Sequence, residues 1–437
     1  MVWSFDPENN AAKEKAAFSF VNMRVPQGGL RPKSNGTNRW SNLRFLAVET
    51  FAFSTEGVRG CDVLFILAAS ADASLALTAL VVYPNKRSAW FDVASLDQGT
   101  TPTLSVSCIV LTDGASSPPP PSTPPSPLSP PSPSPSSSSL AMGGGSTIVA
   151  FTGSTDGALA AWDLTGVVRA FLGDLNAHAG GGGAADGVDG EGGNPKLRID
   201  LRTLHPMSVR EGVHAAGINT IATAKIGFPL PRPSSSSPSS PFGGKRFPDL
   251  AGNEGAGVAS ICVATGGDDQ AMHVSVYRVV CAPQPMTEKH SRQGKETLPC
   301  SEGGNGGVRQ GMEMSLAETL HISNAHGSAI RGVWTDGTIV ATTGIDQRLK
   351  IWRLAFAKGN GGGTGGRGEG EGEGKGEGDG GGGRLSCAHA FCTAVEAGET
   401  ECLDVAVDGG NPDLLHVALA GRGMSVMHVR LKDPAGE

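Results

Sequence analysis

Four segments of this chain repeat one small pattern around an aspartate. They read Ala-Ala-Ser-Ala-Asp72-Ala-Ser-Leu75-Ala-Leu77, Thr-Gly-Ser-Thr-Asp156-Gly-Ala-Leu159-Ala-Ala-Trp162, Thr-Gly-Gly-Asp-Asp269-Gln-Ala-Met272-His-Val274 and Thr-Thr-Gly-Ile-Asp346-Gln-Arg-Leu349-Lys-Ile351-Trp352. Small residues precede the aspartate, an apolar residue follows three positions on, and two copies carry a tryptophan at the sixth. A degenerate fifth copy is Ala-Leu-Ala-Gly-Arg422-Gly-Met424-Ser-Val426. Each copy reads as strand, tight turn, strand: Asp, Gly and Gln suit the turn, and apolar residues alternate on both sides. One such unit cannot bury its apolar faces alone, so a chain with several must stack them.

Low-complexity tracts hide the period. Residues 116–139 are almost pure Ser/Pro, 180–194 are Gly/Asp/Ala, and 229–257 mix Pro/Ser with Gly. Residues 284–311 are polar and Gly-containing, and 358–383 are a Gly/Glu run. None has the apolar surface to offset its ordering entropy, so all five are expected to be disordered insertions. The turn residues are separated by 84, 113, 77 and 76 positions. Without the tracts about 60, 69, 49 and 50 remain, approaching the ~40–45 residues of a four-stranded propeller blade.

With the strands of a blade lettered a to d, Ser105–Leu111 reads as a, Thr147–Thr152 as b, Ala158–Leu164 as c and Arg198–Leu204 as d. The five insertions then fall in a–b or c–d connections, which emerge on one face of a meandering blade. The opposite face keeps tight turns, as a docking face would. The expectation is an all-β propeller over residues 42–430 with about five visible blades. A closed ring usually needs more, so an incomplete ring, and with it a fragment, is anticipated. Residues 1–41 read as a poorly defined segment that could hold a blade remnant in Trp3-Ser-Phe5 and Phe18-Ser-Phe-Val21.

Composition excludes several classes. The net charge of −7 supplies no overall basic field for nucleic acid. The first ten residues lack a basic region followed by an apolar one, so no secretory signal is read. The longest apolar stretch, Val63 to Val82, is interrupted by Ser70, Asp72, Ser74 and Thr78 and reads as two strands, with no membrane span expected. Eight cysteines without a Cys-x-x-Cys pair read as reduced thiols of a soluble cytoplasmic protein. Hydrolase, zinc-protease and deaminase signatures are missing. The run Glu369 to Gly376 lacks the first Gly of a phosphate loop, lacks Ser/Thr after Lys375, and is acidic. No catalytic residue, metal site or cofactor is expected.

Two further motifs tie the repeats together. His214-Ala-Ala-Gly-Ile218 and His326-Gly-Ser-Ala-Ile330 share His-x-x-x-Ile ahead of a strand a, each in the blade of an aspartate turn, Asp269 or Asp346. This arrangement resembles the WD-repeat family, in which such a His hydrogen-bonds the turn Asp. A buried imidazole or carboxylate must be satisfied, and breaking the pair costs on the order of 1–3 kcal/mol. Recurrence in two blades favours structural pairs over a single active site. Asp156 belongs to the same set of turns, and Trp162 and Trp352 take the core position of the Trp-Asp dipeptide, kept only in Trp162-Asp163.

A narrower resemblance follows from Gly344-Ile-Asp-Gln-Arg-Leu-Lys-Ile-Trp-Arg-Leu354, from His214-Ala-Ala-Gly-Ile-Asn-Thr220 with Val263-Ala-Thr-Gly-Gly-Asp-Asp-Gln-Ala-Met-His-Val274, and from Leu419-Ala-Gly-Arg-Gly-Met-Ser-Val426. These are similar to the C-terminal part of the WD repeat-containing protein 6 family, over roughly Leu204 to Val429. The resemblance implies a non-catalytic partner of a tRNA 2′-O-ribose methyltransferase that modifies the wobble nucleotide of the anticodon. S-adenosylmethionine and the catalytic residues then belong to the enzyme, and tRNA contact is indirect or shared. Gln347, Arg348 and Lys350 are the candidates for touching partner or RNA, against the plainer reading of solvated charges. The alternative is a generic WD-repeat interaction scaffold, for example a ubiquitin-ligase substrate receptor. Such receptors often carry Trp-Asp-x-Arg, and Trp162-Asp163-Leu164-Thr165 lacks the Arg while Trp352-Arg353 lacks the Asp.

Overall fold

In the computed structural model, residues 2–6, 11–16, 45–54, 61–83, 88–111, 146–180, 202–226, 257–283, 310–357 and 384–431 are described. β1 (Val2–Asp6) and β2 (Ala11–Ala16) pair with each other as a separate antiparallel hairpin. Blade I contains β3 (Phe45–Ser54), β4 (Asp62–Ser70), β5 (Leu75–Val82) and β6 (Ser88–Leu96). Blade II contains β7 (Thr103–Leu111), β8 (Thr147–Ser154) and β9 (Leu159–Asp163); the helix α1 (Thr165–Gly180) and the short strands β10 (Arg202–Leu204) and β11 (Ser208–Arg210) follow. Blade III is β12 (Ile218–Ile226), β13 (Gly257–Gly267), β14 (Met272–Pro283) and β15 (Gln310–Ile322). Blade IV is β16 (Ile330–Thr335), β17 (Ile339–Gly344), β18 (Arg348–Ala357) and β19 (Arg384–Ala394), and blade V holds β20 (Gly398–Val407) and β21 (Leu414–Arg430). The blades are antiparallel meanders, and their first strands pack in series, β3 on β7, β7 on β12, β12 on β16 and β16 on β20. This is a five-bladed β-propeller.

β21 is a hairpin in its own right. A straight strand of its length would separate its ends by roughly 50–60 Å, yet Leu431 N donates to Asp413 O at 2.8 Å. The reversal is at Arg422, beside Gly423 with φ of 121°. Blade V therefore contributes three strand passages: β20, then the two halves of β21. The fifth, degenerate repeat is the turn between them.

The core lies between blades, because strands buried on both faces send alternate residues to opposite neighbours. In β8, Ile148 and Ala150 join the I–II core with Phe65, Leu67, Trp162 and Phe171, while Val149 and Phe151 join the II–III core with Ile218, Val263 and Tyr277. In β13, Cys262 and Ala264 turn to the III–IV core with Ile330, Val340 and Trp352. Ile339, Ala341 and Ile351 meet Val405, Leu415 and Val417 between IV and V. Among the described residues no such cluster joins V to I.

Every connection outside the described residues within blades I to IV is an a–b or c–d connection, whereas the b–c and d–a turns are all described. The insertions expected at 116–139, 180–194, 229–257, 284–311 and 358–383 lie outside the described residues, except at their margins. There Gly180 ends α1, Gly257 opens β13, and Gln310 and Gly311 open β15. Phe18–Val21 also lies outside them, whereas Trp3 to Phe5 fall on β1.

One strand assignment is corrected. Of the strand d expected at Arg198–Leu204, residues 198–201 lie outside the described residues, and the rest, β10, pairs parallel with β6 on the outer edge of blade I, while β11 pairs with β9 as strand d of blade II. The chain is displaced by α1, which leaves β9 and packs Val167, Val168, Phe171, Leu172 and Leu175 into the I–II core. Asp163 accepts from the Thr165 amide at 2.9 Å and so sits at the helix N-terminus, where a carboxylate is favoured.

Candidate functional site

The tight-turn face carries the repeated side chains, and in blade IV they form one continuous relay. Trp352 Nε1 donates to Thr342 Oγ1 at 3.2 Å, and Thr342 lies 2.9 Å from His326 Nε2. His326 Nδ1 donates to the Asp346 carboxylate at 3.0 Å from Oδ1. Asp346 also accepts from the amides of Gly327 at 2.9 Å and Arg348 at 3.3 Å. The Asp346 carboxylate can only accept, so His326 carries a proton on Nδ1, and burial favours the neutral ring, whose bare Nε2 accepts from Thr342. Burial pushes the His326 pKa down, the carboxylate of Asp346 opposes, and nearby Lys350 and Arg348 lower it further. Burial also pushes the Asp346 carboxyl up, but the bonds from His326 and the Gly327 amide outweigh it and hold it below the ordinary carboxylate value.

Blade III repeats the relay without its tryptophan. His214 Nδ1 donates to Asp269 Oδ1 at 2.8 Å, and Thr265 Oγ1 donates to His214 Nε2 at 2.8 Å. Ser275 stands in the place of Trp352 and accepts from Arg210 Nη1 of blade II at 2.8 Å. His273 stands in the place of Lys350, stacked on His321 with ring centres 4.1 Å apart and edge-on to His214 at 4.5 Å. Burial, then the neighbouring His214 and His321, drive the His273 pKa down to about 3.

In blade II, Trp162 Nε1 donates to Thr152 Oγ1 at 3.0 Å, but the histidine is absent. By register, Thr103 opposite Ser154 matches Ile218 opposite Gly267 and Ile330 opposite Gly344. The position four residues earlier is then Gly99, at φ of 85°. Asp156 is held low first by the Ser154 hydroxyl, against a smaller opposing effect of burial, and also by its own turn and Thr101. In blade I, Ala68 replaces the threonine and Asp72 binds Ser70 and the Ser74 amide. In blade V, Arg422 replaces the aspartate and pairs with Glu399 at 2.8 Å.

The sequence-predicted residues therefore separate into two groups. The structure brings together His214 with Asp269 and His326 with Asp346 and Trp352, while Asp156 and Trp162 lie in one blade without a bond between them. Gln347 and Arg348 are exposed on the b–c turn of blade IV. Lys350 is turned inward, its ammonium 2.5 Å from Ala325 O. Sequence reasoning missed the threonines. Thr152, Thr265 and Thr342 each precede the turn aspartate by four residues, a fixed offset that was visible in three repeats.

The isoleucine of His-x-x-x-Ile has its own task. A Cβ on Gly153 would meet Ile218 Cγ2 at 2.5 Å, and one on Gly266 would meet Ile330 Cγ2 at 2.4 Å. Each isoleucine thus lies against bare backbone of the preceding blade. The junction between blades III and IV is bridged at its rim by Asn219, which donates to Ile330 O at 3.3 Å, and by Arg331, 3.5 Å from the Asp268 carboxylate.

Among the described residues, no group of three His, Cys, Asp or Glu converges to hold a metal ion, and no helix is long and apolar enough to cross a membrane. Burial pushes the Cys262 thiol up to about 12 and Cys387 to about 11, away from nucleophilic use.

No protein-family model and no curated protein matches the chain. Among solved structures it is similar to a humanized mutant of the Chaetomium thermophilum Polycomb Repressive Complex 2 bound to the inhibitor GSK343, with TM-score 0.31, 9% identity, and 89% of this chain and 68% of that chain covered. It is also similar to the Chaetomium thermophilum Polycomb Repressive Complex 2 bound to GSK126, with TM-score 0.30, 9% identity, and 87% and 67% covered. Likeness at this level carries no argument about partners; the propeller assignment rests on the strand order and registers.

Proposed function

We propose that the chain is a non-catalytic, cytoplasmic WD-repeat scaffold that assists a tRNA 2′-O-ribose methyltransferase acting on the anticodon wobble nucleotide. The observation that carries the scaffold reading is the commitment of the turn-face histidines and aspartates. His214, Asp269, His326 and Asp346 spend their polar atoms on bonds within their own blades, which leaves a rigid face with short turns and no free acid, base or nucleophile among these four. Outward-facing Gln347 and Arg348 then meet the partner, while the enzyme supplies S-adenosylmethionine, the chemistry and most of the phosphate contact. The choice of a methyltransferase is supported by the resemblance of Gly344–Leu354 and His214–Thr220 to the WD repeat-containing protein 6 family.

Co-expression with the anticodon-loop 2′-O-methyltransferase of the same cell, followed by affinity capture through a tag on this chain, tests the partnership. Retention of the enzyme in stoichiometric amount is expected, with weakening by Arg348→Glu. A folded, soluble chain that captures no enzyme overturns the partner and leaves a generic interaction scaffold, such as a ubiquitin-ligase substrate receptor.

A further inference from the structure

The two halves of β21 place His416 and His428 opposite each other on the side of blade V that faces away from blade IV. Val417, Val429 and Leu419 fill the IV–V core, so the alternate residues His416 and His428 point outward. Their Nδ1 atoms lie 2.8 Å apart, with the rings perpendicular at 89° and centres 4.8 Å apart. Nε2 of His416 is 3.4 Å from Asp408 Oδ2. Asp408 is itself fixed, accepting from the amides of Gly410 at 2.9 Å and Asn411 at 2.8 Å through its other oxygen.

This network sets the tautomers. Asp408 can only accept, so the His416 proton is on Nε2 and its Nδ1 presents a bare lone pair. The His428 proton then sits on Nδ1 and bonds that lone pair. A metal ion can replace the shared proton if that proton moves to the exposed ring's Nε2, leaving both Nδ1 atoms free to ligate without net proton release. The carboxylate behind His416 is the partner that metal-bound imidazoles ordinarily have.

Imidazole nitrogen suits the later first-row divalent ions, and copper(II) and nickel(II) take tetragonal sets of nitrogen and oxygen. With metal–nitrogen bonds of about 2.0–2.1 Å, two ligands at a right angle are about 2.9 Å apart. The hydrogen-bonded pair at 2.8 Å therefore holds one ion once the exposed ring turns so that both lone pairs meet at it. We propose that His416 and His428, oriented by Asp408, form an open two-histidine site for a divalent ion of the nickel(II) or copper(II) class, its remaining positions filled by water.

Nickel(II) is the probe, because it does not oxidise the exposed thiols of Cys392 and Cys402. Calorimetric titration of the full chain is expected to show one equivalent bound. Affinity should fall at least about tenfold in His428→Asn and in Asp408→Ala, and stay unchanged in His205→Ala, an exposed histidine elsewhere. Thermal melting of each variant verifies folding, and His428→Gln provides a second surface substitution if His428→Asn melts early. Equal nickel affinity in a folded His428 variant overturns the site. Loss in His428→Asn with none in Asp408→Ala overturns the role of Asp408.

Discussion

Gly266 of blade III and Ile330 of blade IV meet with no room for a methyl group between them: a Cβ on the glycine would stand 2.4 Å from Ile330 Cγ2. The same relation holds between Gly153 and Ile218 one junction earlier. Docking at the II–III and III–IV junctions is thus keyed by one isoleucine against one glycine, with the histidine four residues before that isoleucine locked to the turn aspartate of its own blade.

Gly266→Ala is therefore expected to destabilise the chain by about 1–3 kcal/mol through overpacking. Ile330→Ala, which removes the Cγ2 methyl that meets the new Cβ, should recover part of that loss in the double variant, since the two sites are in contact. Urea unfolding of the four proteins closes the cycle. Additive losses would show that the glycine is not constrained by Ile330.

Gly157 should be less tolerant still. It has φ of 78°, and a Cβ there would lie 2.2 Å from the carbonyl oxygen of His214. Gly157→Ala combines a left-handed backbone with a clash against main chain, which cannot rotate away, so a loss above about 2 kcal/mol is expected in the same unfolding assay.

The relay of blade IV predicts a graded series. His326→Ala strands Thr342 and Asp346 and should cost about 1–3 kcal/mol, whereas Trp352→Phe removes one donor and part of a buried ring and His214→Ala tests the tryptophan-free copy. Melting temperatures are expected to fall for all three. A His326→Ala protein as stable as the parent would refute the pairing.

Acidification should destabilise the fold in a window set by the imidazoles. His273, His214 and His326 are held below the ordinary histidine value, first by burial. The unfolded chain therefore takes up protons below pH ~6.5 while the folded chain does not. Stability is full above that pH and falls as pH drops, for His273 down to about 3, by up to about 1.4 kcal/mol per pH unit per group. Asp269 and Asp346, held below the ordinary carboxylate value, begin to add their loss as pH falls through ~3.9 and complete it below their lowered folded values. Denaturant midpoints between pH 7 and 5 are expected to slope less in His273→Leu than in the parent.

The parts of this architecture that were legible in the sequence are those with a fixed offset from a turn. Asp156, Asp269 and Asp346 revealed the blades because turn chemistry and alternating strands on either side recur together. The helix α1 was overlooked although Val167, Val168, Phe171, Leu172 and Leu175 recur on one face, because it follows a strand directly and runs into a glycine tract. β10 and β11, at three residues each, are too short to show a period, so the parallel pairing of β10 with blade I had no local signal. The histidine ladder of His214, His273 and His321 was equally hidden, since the β14–β15 register brings His273 to His321 and the connection before β12 brings His214 to His273.

The most direct test of the proposed function is wobble-position 2′-O-methylation of tRNA by the purified methyltransferase, with and without this chain. Methyl transfer from S-adenosylmethionine should rise on adding the parent protein, and rise less with Arg348→Glu. A folded chain that leaves the methylation rate unchanged at saturating concentration would contradict the account.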